Sequence, residues 1–146
     1  MNIMNIGLLN GPNLNMLGKR EPHIYGATTL DEIVKKLENI AKPHNIISFQ
    51  SNIEGELVDF LQKASENNIE YIIFNAAAYS HYSIAIRDAI SLSSAKVIEV
   101  HISNIYTREE FRHNSIISPV CVGVISGFGV DSYFMAMNYI LSKFKS

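Results

Sequence analysis

The stretch of sequence that decides the fold is residues 71–101, YIIFNAAAYSHYSIAIRDAISLSSAKVIEVH. The apolar runs at its two ends, residues 71–75 and 96–101, are short and rich in Ile, Val and Phe, which is typical of β-strands covered on both faces. The segment between them has apolar residues at helical spacing and predicts a helix whose buried face carries Ile84, Ala85, Ala89 and Leu92. A strand, a helix and a second strand in this order predict a right-handed crossover between parallel strands.

Apolar runs of the same kind recur along the rest of the chain. They lie at residues 4–10, 45–50 and 120–126, which makes five predicted strands in all. A segment of helical period follows each of them. Five strands alternating with helices predict an α/β protein with a doubly wound, five-stranded parallel sheet and helices on both faces, resembling the flavodoxin-like folds.

Three of the predicted helices follow a capping-box pattern, in which a Ser or Thr is followed three residues later by Glu. The pattern occurs at Thr29, at Ser51 and at Thr107, where it predicts a short helix. A last helix is predicted from about residue 130 to residue 144. We expect its Met and aromatic side chains to pack in the core and not against a cofactor.

The length and composition limit the class of protein. The chain has 146 residues and a mass of 16.4 kDa, which predicts one domain over residues 1–146 and is too short for a (β/α)₈ barrel. The formal net charge of −2 gives no overall attraction to nucleic acid or to an anionic membrane. A lone cysteine, Cys121, and the lack of a signal peptide or of an apolar run of 18 residues predict a soluble, cytoplasmic protein.

A long loop of 18 residues, 11–28, follows the first predicted strand. Loops longer than about 12 to 15 residues with no structure of their own are usually active-site lids or disordered segments. This loop contains Leu, Met, Ile and Tyr side chains that can pack, so a lid is the favoured interpretation. The lid would carry the polar side chains of Asn13, Asn15, Arg20 and Tyr25.

Polar side chains also follow the other predicted strands, at the edge where open α/β sheets bind their ligands. Asn75 ends the third strand, and His81 stands at the start of the next helix. Glu99 and His101 end the fourth strand two residues apart and therefore share one face. A strand buried by helices should carry two ionisable groups only where they are paired or functional. A functional role for Glu99 and His101 is favoured. The alternatives to it are a Glu-His pair that only fixes a loop and a His/Glu metal site.

Three of the four arginines lie in the polar loops. Arg20 is in the first loop, and Arg108 and Arg112 follow the fourth strand, where surface solvation explains Arg108 more easily than the others. A guanidinium binds a carboxylate through two hydrogen bonds, so arginines that converge with amides suit a small anionic substrate.

Other reaction classes lack their usual motifs. The sequence has no G-x-S-x-G, Walker or H-E-x-x-H pattern, and Gly127-Phe128-Gly129 is a weak dinucleotide fingerprint. The reaction class that these exclusions leave is acid–base chemistry, carried out by Tyr, His and Arg side chains on a small polar anion. The alternative is a non-catalytic, small-anion-binding module on a flavodoxin-like sheet.

Six blocks of the sequence match the pattern of one family: Asn10-Gly11-Pro12-Asn13-Leu14-Asn15, Arg20-Glu21-Pro22, Tyr25-Gly26, Gln50-Ser51-Asn52, Glu99-Val100-His101-Ile102-Ser103-Asn104 and Arg108-Glu109-Glu110-Phe111-Arg112. With these blocks the chain resembles the type II 3-dehydroquinate dehydratases, enzymes of the shikimate pathway. The match extends over nearly the whole chain, and the blocks together are far more specific than any one of them alone.

The resemblance implies dehydration of 3-dehydroquinate to 3-dehydroshikimate by anti elimination through an enolate, without a metal or organic cofactor. Tyr25 would be the general base, and Arg20 would lower the pKa of Tyr25 and stabilise the transition state. His101 would donate a proton to the leaving hydroxyl, with Glu99 orienting it. Asn13 would hold the water or oxygen that stabilises the enolate.

The resemblance also implies the substrate contacts and the assembly. The substrate would be bound by Asn75, His81, Ile102, Ser103 and Arg112, with Ile102 and Ser103 acting through their backbone amides. Asp88 would reach the site of a neighbouring subunit. The assembly implied is a homododecamer built from trimers.

Overall fold

Five strands form one parallel sheet in a computed structural model, which describes residues 2–19, 23 and 26–144. The strands are β1 (Asn5–Asn10), β2 (Asn45–Gln50), β3 (Ile69–Asn75), β4 (Lys96–His101) and β5 (Gly123–Ser126). Their order in the sheet is β2-β1-β3-β4-β5, and every neighbouring pair is parallel. The predicted doubly wound α/β fold is confirmed, with the flavodoxin-like strand order.

Among the described residues, four α-helices cover the two faces of the sheet. They are α1 (Leu30–Ala41), α2 (Glu54–Gln62), α3 (Ile84–Leu92) and α4 (Asp131–Lys143). Helices α1 and α4 pack together on one face, and α2 and α3 pack together on the other. No helix among the described residues is both long enough and apolar enough to cross a membrane.

The central strands divide their side chains between the two cores. On β3, Tyr71 and Ile73 pack against α1 and α4, whereas Ile72 and Phe74 pack on the side of α2 and α3. This alternation follows from the two-residue period of a strand, and a run that is apolar at every position therefore needs cover on both faces. Each fully buried Ile or Phe side chain contributes about 1.5–3 kcal/mol to folding.

The expectation that all five strands are covered on both faces is wrong for the sheet edges. On β5, Val124 is 46% exposed, and β2 is only partly buried. The edge strand β5 is also shorter than predicted, because a 3₁₀ turn, Ser118–Val120, occupies the residues before it. Pro119 lies in this turn. A proline has no N–H to donate to a neighbouring strand, so it fits a turn better than a strand.

The buried face of α3 differs from the predicted one. Ile86 is fully buried and Ala89 and Ile90 are nearly so, but Ile84 and Leu92 are 66% and 80% exposed. Both sets have helical spacing, so periodicity alone does not choose between them, and packing against the sheet and α2 decides. The helix therefore presents an apolar stripe outwards.

Only one of the three capping boxes forms. Thr29 Oγ1 accepts a hydrogen bond from the Glu32 N–H at 3.2 Å and starts α1 as predicted. The residue before α2 is Ile53, and no side chain caps this helix. Ser51 Oγ instead accepts a hydrogen bond from the Ile53 N–H and donates one to Glu56 Oε1. In place of a helix starting at Thr107, two 3₁₀ turns form, Ile105–Thr107 and Glu110–Arg112.

The parallel arrangement brings the carboxyl ends of the strands to one edge of the sheet. Asn10 pairs in register with Gln50 on one side and with Asn75 on the other, and His101 pairs with Ser126. The polar residues that end separate segments of sequence are thus neighbours in space.

Candidate active site

A cleft opens at the carboxyl edge of β1, β3 and β4. Its apolar wall includes Pro12, Leu14, Leu17, Ile102 and Ile105. Its polar wall contains Asn13, Asn75, His81, His101, Ser103, Arg108 and Arg112. Apolar walls with a few convergent polar groups are the usual form of a site for a small molecule.

The start of the loop after β1 is fixed against the segment after β2. The backbone of Asn13 is left-handed, with φ of 70°, and its N–H donates to Asn52 Oδ1 at 2.9 Å. Gln50 Nε2 donates to the Gly11 carbonyl at 3.1 Å. Asn adopts the left-handed region more readily than most residues, so this position suits the side chain it carries.

Glu99 and His101 form the buried pair predicted from their two-residue spacing. Glu99 is fully buried and His101 is 5% exposed, and the His101 Nε2 lies 2.5 Å from Glu99 Oε2. His101 lines the cleft, whereas Glu99 is not among the lining residues and lies behind the imidazole. A carboxylate in this position fixes the orientation of the imidazole through a hydrogen bond.

Two hydroxyl groups complete the surroundings of the Glu99 carboxyl. Ser115 Oγ donates to Oε2 at 2.6 Å, and Ser118 Oγ donates to Oε1 at 2.5 Å. Burial raises the pKa of Glu99, but the hydrogen bonds from His101 and the two serines outweigh it and leave the pKa below its usual value. The carboxyl is therefore ionised at neutral pH, and this contribution to stability is lost as pH falls through the lowered pKa.

His81 lies beside His101 and remains neutral to lower pH than an ordinary histidine. The two rings stack with their centroids 6.2 Å apart, and His81 Nδ1 donates to the Asn114 carbonyl at 2.9 Å. Burial, with a smaller contribution from His101 and Arg112, lowers the pKa of His81 below 6.5. Since Nδ1 carries the proton that it donates to the carbonyl, Nε2 is the acceptor nitrogen of the neutral ring.

Asn75 is held by a buried network that reaches α4. Its Nδ2 donates to the Tyr133 hydroxyl at 2.9 Å, and its Oδ1 accepts from the Ala77 N–H at 3.1 Å. The Tyr133 hydroxyl in turn donates to Asn10 Oδ1 at 2.6 Å. Tyr133 and Asn10 are fully buried, and burial raises the pKa of the tyrosine, so its hydroxyl stays protonated. The network fixes the orientation of the Asn75 amide at the cleft.

Arg108 and Arg112 both line the cleft. Their side chains are 15% and 26% exposed, and each Nε lies near Glu109 Oε1, at 3.7 and 3.2 Å. Arg108 Nη1 also donates to Ser103 Oγ at 3.4 Å. Arg108, which surface solvation explained more easily than the other arginines, is thus less exposed than Arg112, and both side chains line the cleft. The described lining residues include two guanidinium groups and no carboxylate, so the cleft suits an anion.

The structure brings together most of the residues singled out from the sequence. The cleft is lined by Asn13, Asn75, His81, His101, Ile102, Ser103 and Arg112, with Glu99 behind His101. Asp88 is exposed on α3 and is not among the lining residues. Arg20 and Tyr25 lie outside the described residues, whereas residues 11–19 of the predicted lid are described and contain a 3₁₀ turn, Leu14–Met16.

Sequence reasoning missed Tyr133, Ser115 and Ser118. Tyr133 lies in the predicted last helix, and the signal that could have identified it is its hydroxyl, because a buried tyrosine hydroxyl needs a hydrogen-bond partner. The serines lie 16 and 19 residues beyond Glu99 in the sequence, and no spacing rule joins them to it.

A metal site and a cysteine nucleophile both lack support in the part of the chain that the structure describes. Among those residues, no group of three or more His, Cys, Asp and Glu side chains is placed to hold a metal ion. Burial, together with the nearby Glu99 charge, raises the pKa of the Cys121 thiol to about 12, so it is protonated at neutral pH and is no nucleophile.

Comparison with known proteins identifies the family. The family described as "Dehydroquinase class II" matches residues 4–141. The chain belongs to the class II dehydroquinases. It is 50% identical over 138 residues to the 3-dehydroquinate dehydratase of Bacillus pumilus (strain SAFR-032), covering 93% of each chain. It is 54% identical over 136 residues to the 3-dehydroquinate dehydratase of a Nitratiruptor species, covering 92% of this chain and 86% of the relative.

A solved structure confirms the fold assignment for this dehydroquinase. The crystal structure of the type II dehydroquinase from Butyrivibrio crossotus DSM 2876 superposes with a TM-score of 0.91 at 45% identity. The match covers 95% of this chain and 98% of the other. The resemblance noted in the sequence is therefore confirmed at the level of both family and fold.

The network around Asn75 predicts a specific loss of stability. Tyr133→Phe removes the hydroxyl and leaves Asn10 Oδ1 and Asn75 Nδ2 buried with one partner fewer. An unsatisfied buried polar group costs about 1–3 kcal/mol, so we expect the free energy of unfolding to fall by at least about 2 kcal/mol in denaturant titrations. The control is Tyr71→Phe, which removes a hydroxyl that bonds to no described residue and should cost less than about 0.5 kcal/mol. Equal losses in the two variants would contradict the network.

Proposed function

We propose that the chain is a 3-dehydroquinate dehydratase of the shikimate pathway, and that residues 1–146 form one catalytic domain. The reaction removes water from 3-dehydroquinate and gives 3-dehydroshikimate. The observation that carries the proposal is the buried Glu99–His101 pair beside a cleft lined by arginines and amides. The relatives' names support the same activity. The family match does not favour a non-catalytic anion-binding module.

In the proposed mechanism, a base removes the proton next to the substrate's carbonyl, and the electron pair moves onto the carbonyl oxygen as an enolate. The enolate then collapses, the bond to the leaving hydroxyl breaks, and His101 gives that hydroxyl its proton so that water departs. Glu99 orients the imidazole for the transfer through the hydrogen bond between its carboxyl and His101 Nε2. Asn13 lies at the cleft and holds the water or oxygen that stabilises the enolate.

The proposed base is Tyr25, activated by Arg20. An ordinary tyrosine has a pKa of about 10 and is about one part in a thousand ionised at neutral pH, so a neighbouring guanidinium is needed to favour the phenolate. The two residues are five positions apart on the loop that follows β1, which begins at the cleft with Pro12 and Asn13. Closure of this loop would bring both to the substrate and exclude water. The mechanism assigns no step to a metal or an organic cofactor.

The proposed substrate contacts come from three loops at the cleft. The substrate is bound by the side chains of Asn75, His81 and Arg112 and by the backbone amides of Ile102 and Ser103, all of which line the cleft. The backbone at this point is held in place, because the Ile102 carbonyl accepts from the Gly129 N–H at 2.9 Å and the Ser103 carbonyl accepts from Ser126 Oγ at 3.1 Å. A fixed backbone positions its amides for an anion at little entropic cost.

The activity itself is tested by incubating purified protein with 3-dehydroquinate. The product is a conjugated enone, so its ultraviolet absorbance should rise with time and in proportion to enzyme concentration. His101→Ala should lower kcat by about 10²–10⁴-fold, because it removes the proton donor of the leaving group. An absence of product above background with the folded wild-type protein would overturn the assignment.

The role of Tyr25 is tested by Tyr25→Phe, which keeps the ring and removes the ionisable hydroxyl. We expect loss of most of kcat with the fold retained, as judged by circular dichroism, and a comparable loss for Arg20→Ala. Tyr139→Phe is the matched control, since Tyr139 lies on α4, is 44% exposed and does not line the cleft. A Tyr25→Phe enzyme with near wild-type kcat would exclude Tyr25 as the base.

We further propose that the enzyme is cytoplasmic and assembles as a homododecamer of trimers, in which Asp88 reaches the site of a neighbouring subunit. Support comes from the outward face of α3, where Ile84, Asp88 and Leu92 are spaced four residues apart and are all exposed. An exposed apolar stripe with a carboxylate at its centre suits contact with a second protein surface.

The assembly is tested by the mass in solution, measured by light scattering after size-exclusion chromatography. We expect about twelve times the 16.4 kDa chain mass, and for Leu92→Glu a shift to smaller species because a charge enters the apolar stripe. A wild-type protein that stays monomeric at micromolar concentration would contradict the proposal.

A further inference from the structure

We propose that Ser115 and Ser118 are positioning residues of the reaction: they hold the Glu99 carboxylate ionised and oriented, and so act through it on the proton donor His101. The inference rests on the proposed function, because it concerns how the proton donor of that reaction is maintained. Neither serine lines the cleft, and both donate to the carboxyl that lies behind His101.

The contacts of the carboxyl group show what the serines do. Glu99 Oε2 accepts from His101 Nε2 at 2.5 Å and from Ser115 Oγ at 2.6 Å, and Oε1 accepts from Ser118 Oγ at 2.5 Å. Both oxygens are therefore occupied, and the plane of the carboxyl is fixed relative to the imidazole. Without Ser118, Oε1 would have no side-chain donor among the described residues.

The choice of neutral donors matters for the chemistry. A buried carboxylate needs hydrogen bonds to remain ionised, and a Lys or Arg partner would supply them together with a positive charge. That charge would cancel the attraction of Glu99 for a protonated His101. The serine hydroxyls stabilise the anion and leave its charge to act on the imidazole.

The segment that carries the serines is itself held rigidly. The Ile116 N–H donates to the Ser80 carbonyl at 2.9 Å, and the Ile116 carbonyl accepts from Arg87 Nη1 at 2.7 Å. Ile117, between the two serines, is fully buried. The same segment places the Asn114 carbonyl on His81. One short segment thus positions the carboxyl behind the proton donor and the histidine stacked against it.

Several charged or titratable groups face the Glu99–His101 pair. His81 stacks on His101 from the turn after β3, the positive charge of Arg112 acts on His81, and the Cys121 thiol, before β5, is close enough to feel the Glu99 charge. Arg108 lines the same cleft. Substitution of the serines leaves all these groups in place and changes only the donors to Glu99. Because burial of the carboxyl is unchanged, loss of the donors raises its pKa.

Ser80 offers a matched control. It is fully buried close to this site, yet its Oγ has no hydrogen-bond partner among the described residues. Ser80→Ala therefore makes the same chemical change as Ser115→Ala or Ser118→Ala without removing a donor from Glu99. The backbone contact of Ser80 with Ile116 remains in the variant.

The test is the pH dependence of 3-dehydroquinate turnover for Ser115→Ala, Ser118→Ala and the double variant. For each single variant we expect kcat at neutral pH to fall by about tenfold or more, because a hydrogen bond to a charged group is lost, with KM changed less than about twofold. The acidic limb of the kcat profile should move to higher pH, and further in the double variant. Ser118→Thr, which keeps a hydroxyl, should restore most of kcat, and Ser80→Ala should leave the profile unchanged.

A second readout requires no turnover. In protein labelled with ¹³C at the glutamate carboxyls and assigned with Glu99→Gln, we expect the Glu99 resonance to titrate at higher pH in each single alanine variant than in wild type or Ser80→Ala. If the single variants match Ser80→Ala in both the pH profile and this titration, the inference is overturned. If the wild-type protein shows no turnover, the proposed function fails, and the titration alone decides whether the serines hold the carboxylate.

Discussion

An ionised carboxyl group buried at the edge of the sheet is the constraint on which the rest of the site depends. Removing the Glu99 carboxylate from water is costly, and three short hydrogen bonds within the protein compensate for that cost. The bonds come from the same strand and from a segment 16 to 19 residues later, so the site forms only when β4 and that segment are both in place.

The parallel sheet gives this pair its surroundings. Because the strands end at one edge, Asn75 on β3 and His101 on β4 line one cleft, each held by a buried network behind it. One network fixes an amide and the other fixes an imidazole, and each uses hydroxyl groups supplied from outside the sheet. The polar groups are held without rotational freedom before substrate binds, which is what electrostatic preorganisation requires.

Much of the fold follows from the sequence because strand and helix periodicities differ. The apolar runs of β1 to β4 and the stripe of α1 identify these elements, and the two-residue spacing places Glu99 with His101. The buried face of α3 does not follow, since two of its faces are apolar and packing selects one. The partners of Glu99 do not follow from the sequence either. Serine is usually an exposed residue, and only the tertiary fold brings Ser115 and Ser118 to the buried carboxylate.

The most direct test of the account is the ionisation state of Glu99 in the wild-type protein. Isotope-edited infrared spectroscopy, with Glu99→Gln as the reference, separates the stretching band of a carboxylate from the carbonyl band of a protonated carboxyl. We expect a carboxylate band at neutral pH that persists when the pH is lowered past the usual pKa of a glutamate. A protonated carboxyl band at neutral pH would contradict it.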